Sequence, residues 1–108
     1  MDMAAITGIN LQTSRLLLRE INPNDILNIH TLYSNPETSK YEDWEPYTEE
    51  NSLWQTQQAL EEQTQTDRKM IRLIVELKDG QFVGCVGVEI SRTGTAAKVF
   101  YAIIPEMQ

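Results

Sequence analysis

The order of elements written in this chain predicts an α+β domain built on a largely antiparallel, four-stranded sheet, in the order strand, helix, helix, strand, strand, strand. Three observations carry that expectation: a leucine-rich run that stops at a proline-capped helix start, an Asp-Gly turn between two long alternating runs, and a last alternating run near the end. Residues 1–10 are expected to be a flexible amino-terminal segment and residues 11–108 one domain.

Arg15 to Ile21 is rich in leucine and ends at Asn22-Pro23, which marks a first strand. Asn22 can cap the following helix, with Pro23 at its first position and Asp25 near the positive end of its dipole. Ile26, Ile29, His30 and Tyr33 then recur at helical spacing until Ser34-Asn35-Pro36 ends the pattern, because proline disfavours helical geometry in the residue before it. Lys40 to Tyr47 has no clear period and reads as a loop. A second helix is expected to start after the cap Thr48, with Glu49 and Glu50 favouring its dipole, and to run to about Gln63 with Leu53, Trp54 and Leu60 as its apolar contacts.

Ile71, Leu73, Val75 and Leu77 alternate with Arg72, Ile74, Glu76 and Lys78, then Asp79-Gly80 turns the chain into Phe82 to Ile90. With Asp79-Gly80 as a two-residue loop, Leu77 faces Phe82, Val75 faces Gly84, Leu73 faces Val86 and Ile71 faces Val88, gathering one apolar face. The reverse face, with Ile74 and Cys85 opposite one another, is partly apolar as well. A turn through Thr93-Gly94-Thr95 leads to the last run, where Val99, Tyr101 and Ile103 alternate with Phe100, Ala102 and Ile104. A sheet apolar on both faces is normally covered on both. Only two helices are expected, both on one face, so the other face lacks a cover and the last strand is an unblunted edge.

Composition excludes some functions. The 108 residues carry 9 basic and 16 acidic side chains, a formal net charge of −7, which argues against a surface made to neutralise nucleic-acid phosphates or anionic lipid. No run approaches the roughly 20 apolar residues of a membrane helix, and Met1 to Asn10 lacks the flanks of a secretion signal, so a cytoplasmic setting is expected. One cysteine, Cys85, cannot form an internal disulfide and has no basic neighbour to activate it, so it reads as an inert thiol. His30, the only histidine, lies beside apolar residues without partners at ligand spacing and reads as structural; no metal site is legible.

Two stretches carry a family resemblance. Leu11-Gln12-Thr13-Ser14-Arg15-Leu16-Leu17-Leu18-Arg19 is similar to the opening strand, and Tyr101-Ala102-Ile103-Ile104-Pro105-Glu106-Met107-Gln108 to the fourth strand and its exit, of acetyl-CoA-dependent N-acetyltransferases of the GNAT superfamily, in particular its RimJ/RimL-like branch. Gln108 resembles the first letter of that superfamily's Gln-x-x-Gly-x-Gly/Ala phosphate loop, and the glycines themselves are absent from these 108 residues. The resemblance implies a partial GNAT fold, an amino-terminal half whose carboxyl-terminal half would supply the missing cover and a neighbouring strand. It also implies acetyl-CoA as co-substrate and a primary amine as acceptor, a small molecule or a protein amino terminus.

In that chemistry the amine loses a proton and attacks the thioester, and a fixed donor meets the charge developing on the thioester oxygen. Carried over by position, the donor and the contacts to the pantetheine arm fall on the backbones of Ile103 and Ile104, with Gln108 at the start of the pyrophosphate turn; ordinary strand roles for Ile103 and Ile104 are an equal alternative. Because the glycine turn and the family's tyrosine acid are not in this sequence, the isolated chain is expected to lack transferase activity.

Between Tyr41 and Asp67 stand eight acids and no lysine or arginine. They read either as one wall of an acceptor site or, more simply, as a solvated helix face with capping acids. Glu42, Trp44 and Glu45 are the candidates for amine binding, since an aromatic flanked by acids can hold an ammonium by charge and by its ring face; Trp44 can equally be core. Glu89 is a candidate base acting through water, or a solvent-facing residue. Two other functions stay open beside the enzyme: a non-catalytic module that forms a homodimer or larger oligomer through the last strand, and one half of a split enzyme.

Overall fold

The computed structural model describes residues 9–40 and 42–107. Five strands form one antiparallel sheet in sequence order: β1 (Asn10–Gln12), β2 (Leu16–Glu20), β3 (Met70–Leu77), β4 (Phe82–Ile90) and β5 (Ala97–Ile103). The expected four strands therefore become five. Thr13 supplies the turn that the sequence reading missed, its hydroxyl accepting from the amides of Arg15 and Leu16 while its own amide donates to the Leu16 carbonyl at 2.9 Å. That turn folds Asn10–Gln12 back along β2, with Leu11 opposite Leu18. Of the expected flexible segment, residues 1–8 lie outside the described residues, and Asn10 is already in a strand.

The helix start is as expected in its cap and different in its first turn. Asn22 accepts from the Asn24 amide, Asp25 accepts from the Asn22 amide at 2.7 Å, and Pro23–Asp25 forms a 3-10 turn before α1 (Ile26–Ser34). Pro36 ends α1 and opens a further single turn, α2 (Pro36–Ser39), capped by Asn35. The long helix α3 (Glu49–Glu62) has Thr48 as cap in a reciprocal pair with Asn51. Its buried face is not the expected one: Ser52, Thr56 and Ala59 are buried, Leu60 is half-buried, and Leu53 and Trp54 are exposed. Small residues at spacings of four and three let α3 lie close to α1 and the sheet, and Ser52 bonds His30 Nδ1 at 2.7 Å, which holds that histidine between the helices.

The β3–β4 register agrees with expectation from Ile71–Val88 to Val75–Gly84 and departs near the turn, where Phe82 faces Glu76 instead of Leu77. The loop has three residues, not two. Leu77 exchanges bonds with Gly80 and Gln81, and Gly80 at φ +94° takes the left-handed conformation after Asp79. Val83 then becomes the extra residue of a β-bulge that restores the register.

Both long helices cover one face, as expected, and it is the face of Ile74 and Cys85. Ile29 and Leu32 of α1 and Ala59 of α3 join them and Ile21 in the core. The opposite face carries Leu18, Ile71, Leu73, Val75, Val86, Val99, Tyr101 and Ile103 by register, and no helix among the described residues lies on it. At its β5 end Val99 and Tyr101 are 63% and 72% exposed. β5 is an edge strand whose amino-terminal part includes Lys98.

Candidate functional site

The site begins with the segment that follows α2. The Tyr47 amide donates to the Tyr33 carbonyl at 2.8 Å, which fastens the loop to the end of α1. Tyr33 and Tyr47 then stack at 4.9 Å between ring centroids, and Trp44 leans on both, 5.4 Å from Tyr33 and 5.6 Å from Tyr47 in an edge arrangement. Burial pushes the hydroxyls of Tyr33 and Tyr47 up from their ordinary value of 10.0. Burial raises the Cys85 thiol to about 12. That thiol is neutral and inert at physiological pH, as its sequence context implied.

These three rings form one wall of a cavity of about 430 Å³. Its opposite side is the sheet: Arg72 from β3, Cys85 and Glu89 from β4, Lys98 and Phe100 from β5. Phe100 lies across Gly87 so closely that a Cβ there would collide with the ring, so the missing side chain is what lets the ring lie flat as part of the floor. Glu42, Asp43 and Glu89 line the cavity and are exposed, and among the described residues none of the three makes an ion pair. Arg72 is committed elsewhere. It donates to Glu62 at 3.0 Å and Gln55 at 2.7 Å, tying α3 to the sheet.

A second cavity, of about 400 Å³, runs beside β5 and is lined by Phe100 to Ile103, Thr38, Tyr33, Glu42 and Trp44. Tyr33, Glu42, Trp44 and Phe100 belong to both cavities. The two spaces therefore meet at one aromatic partition, with acids on one side and a strand backbone on the other.

Of the residues singled out in the sequence, Glu42, Trp44 and Glu89 converge on the first cavity, while Glu45 is exposed and lies off its lining. Ile103 lines the second cavity opposite Gly84. Ile104 packs against the core, donates its amide to the Val83 carbonyl at 2.9 Å and accepts from Met107 at 3.0 Å, so its amide is engaged within the sheet. Gln108 lies outside the described residues. Tyr33, Tyr47, Asp43, Arg72, Lys98, Phe100 and Thr38 were not anticipated as site residues. The alternation of β5 already placed Phe100 with Ala102 on one face, but which face meets the loop is a tertiary fact.

The comparisons agree with this architecture. The sequence matches the acetyltransferase (GNAT) domain over residues 15–108. The structure is similar to a GNAT-family acetyltransferase from Bacillus anthracis, with a TM-score of 0.73 at 18% identity, covering 91% of this chain and 55% of that one. It is similar to spermidine N-acetyltransferase from Vibrio cholerae, solved with CoA and spermine, with a TM-score of 0.73 at 26% identity, covering 89% and 55%. A GNAT-family acetyltransferase from Bordetella pertussis aligns with a TM-score of 0.69 at 14% identity, covering 93% and 62%. The chain thus spans a little over half the length of these proteins. No curated protein matches it. With the domain match covering all but the amino-terminal segment, and with the strand order, the paired helices and the β5 groove in place, this chain belongs to the GNAT acetyltransferase domain family.

Proposed function

We propose that this chain is the acceptor-binding and strand-scaffold part of an N-acetyltransferase that moves an acetyl group from acetyl-CoA to a primary amine, and that it belongs to the RimJ/RimL-like branch. One observation carries the proposal: an acid-lined aromatic cavity meets a groove along the β5 edge at a shared partition of Tyr33, Trp44 and Phe100. Two substrates that must touch need two such spaces and one contact point. The acceptor class we favour is a cationic polyamine. Glu42, Asp43 and Glu89 supply negative charge that makes no ion pair among the described residues, Trp44 and the tyrosines supply ring faces for an ammonium, and the similar Vibrio cholerae protein is a spermidine N-acetyltransferase.

Glu89 is assigned as the group that accepts the amine proton through water, and the backbone of Ile103 as a contact to the acyl donor in the β5 groove. Acetyl-CoA supplies the activated acetyl group. The Ile104 amide would have to leave Val83 to serve as a donor. We assign no pyrophosphate contact within the described residues. Thermal-shift titration tests the proposal: acetyl-CoA at a hundredfold its Kd adds about 2.7 kcal/mol to stability, and spermidine should add its own increment. No shift with either ligand removes the reading.

A second reading has its own support. The helix-free face and the β5 edge expose Val99 and Tyr101, so pairing of two copies through β5, with or without catalysis, is proposed beside the enzyme. A strictly monomeric mass at micromolar concentration in analytical ultracentrifugation counts against it. The single, buried, unbridged thiol suits a reducing, cytoplasmic setting. No helix among the described residues is long and apolar enough to cross a membrane.

A further inference from the structure

Among the described residues two cations line the acid-walled cavity, and they differ in what they hold. Arg72 donates to Glu62 at 3.0 Å and to Gln55 at 2.7 Å, so its charge is committed within the fold. Lys98 is exposed and makes no ion pair among the described residues. Its place in the sheet nevertheless gives it a neighbour of opposite sign. Lys98 stands directly opposite Glu89 in the β4–β5 register, and both residues line the cavity. Opposed residues of an antiparallel pair have Cβ atoms about 5 Å apart, within reach of a flexible lysine stem.

An exposed lysine exchanges rotamers rapidly, so its ammonium visits the opposite carboxylate repeatedly without being locked to it. A polyamine entering the cavity brings ammonium groups to Glu42, Asp43 and Glu89, and at Glu89 it meets a cation already tethered there. We propose that Lys98 is a specificity-determining residue of the acceptor cavity, its ammonium competing with the ligand for Glu89 and lowering affinity most for acceptors that carry several charges. A lone ammonium can settle against Glu42 and Asp43 on the loop wall and escape that competition, whereas a triamine needs the sheet wall as well. This rests on the reading of the first cavity as the acceptor site.

The test titrates spermidine and n-butylamine by calorimetry into the unaltered chain, Lys98→Gln, Lys98→Arg and Lys78→Gln. Lys78 is also exposed, bonds Gln12 at 3.1 Å and lies past the far end of β3 from Met70, the residue opposite Glu89. By strand rise that is about 26 Å away, more than two Debye lengths at about 0.1 M salt, so Lys78→Gln changes net charge equally without touching the cavity. Lys98→Gln should lower the Kd for spermidine about two- to fivefold at about 0.1 M salt, the size of one exposed ion pair, and less at about 0.5 M. The Kd for n-butylamine should move by less than about 1.5-fold, and Lys98→Arg and Lys78→Gln should both match the unaltered chain. In a Glu89→Gln background the gain from Lys98→Gln should vanish, which a general change of charge would not produce. If Lys98→Gln does not fold, Lys98→Thr carries the same comparison. A gain no larger than that of Lys78→Gln overturns the proposal, as does an equal gain for n-butylamine or one that persists with Glu89→Gln. Absence of spermidine binding by both the unaltered chain and Lys98→Gln overturns the acceptor-cavity reading and the proposal with it, a result distinct from binding that is indifferent to Lys98.

Discussion

Around Arg19 the carboxylates are saturated with partners; around Trp44 they are not. Arg19 grips Asp25 with two bonds of 2.8 Å, reaches Glu76 at 3.2 Å and the Glu20 carbonyl at 3.1 Å, while Arg68 holds Glu20 at 2.7 and 3.0 Å. The hydrogen bond to Asp25, and then Glu76, holds the Arg19 guanidinium above its already high range even against burial. Glu42, Asp43 and Glu89, at the other region, line a cavity with no ion pair among the described residues. The first region spends charge on holding a 3-10 turn against the sheet. The second leaves charge available, which is what a binding surface requires.

The sharpest way to break this contrast is Arg19→Ala, which strips both bonds from a carboxylate that is only 2% exposed. A loss of about 3–5 kcal/mol is expected in denaturant unfolding, with Arg19→Lys recovering little of it because an ammonium cannot make the bidentate pair. Next comes Ile74→Ala, at the centre of the covered face, with a loss of about 2–5 kcal/mol against under about 0.5 kcal/mol for Tyr101→Ala on the uncovered one. Equal losses at the two positions would mean that the second face is covered after all.

A titration separates the regions further. The Cys85 thiol is raised by burial from 9.0 to about 12, so the folded state holds that proton more tightly than the unfolded state does. Its contribution is complete below about pH 9 and is lost as pH climbs towards 12, at up to about 1.4 kcal/mol per pH unit. Urea midpoints measured from pH 8 to 11 should fall, and fall less steeply in Cys85→Ala, with Tyr33 contributing in the same direction. A flat profile in the unaltered chain would show that the cavity admits water to the thiol.

Thr48→Ala should cost about 1 kcal/mol through the α3 cap. The smallest effect on stability belongs to Glu42→Gln and Glu89→Gln, within about 0.5 kcal/mol, and both should weaken spermidine binding in a salt-dependent way. If either were as costly to stability as Thr48→Ala, the distinction between holding and available charge would collapse.

Local signals were readable wherever their physics is local. Asn22-Pro23, Thr48 and Asp79-Gly80 were each legible as caps or turns from a few adjacent residues, and the Ile71–Val88 to Val75–Gly84 register followed from counting back from the Asp79-Gly80 turn, because the Val83 bulge offsets the longer loop. The reading failed where the outcome depends on distant partners. Leu53 and Trp54 look like the contacts of α3, yet Ser52, Thr56 and Ala59 are buried, because close approach to α1 favours small side chains over large ones. Asp25 looked like a dipole acid and is in fact the hub of an ion pair with Arg19, six positions earlier on the sheet. For the site, Glu42, Trp44 and Glu89 could be named singly, but nothing in their spacing says that they face one cavity.

By itself the sequence determined the succession of strands and helices, the antiparallel hairpin, the acidic character of the middle segment and the family of the domain, since each rests on propensity, periodicity or contiguous motif. Tertiary structure alone decided which sheet face the helices cover, the extra strand at Asn10–Gln12, and the partition of Tyr33, Trp44 and Phe100 between two cavities. Those depend on side chains from separate elements meeting in space, and a one-dimensional pattern fixes neither their distance nor which partner each one finds.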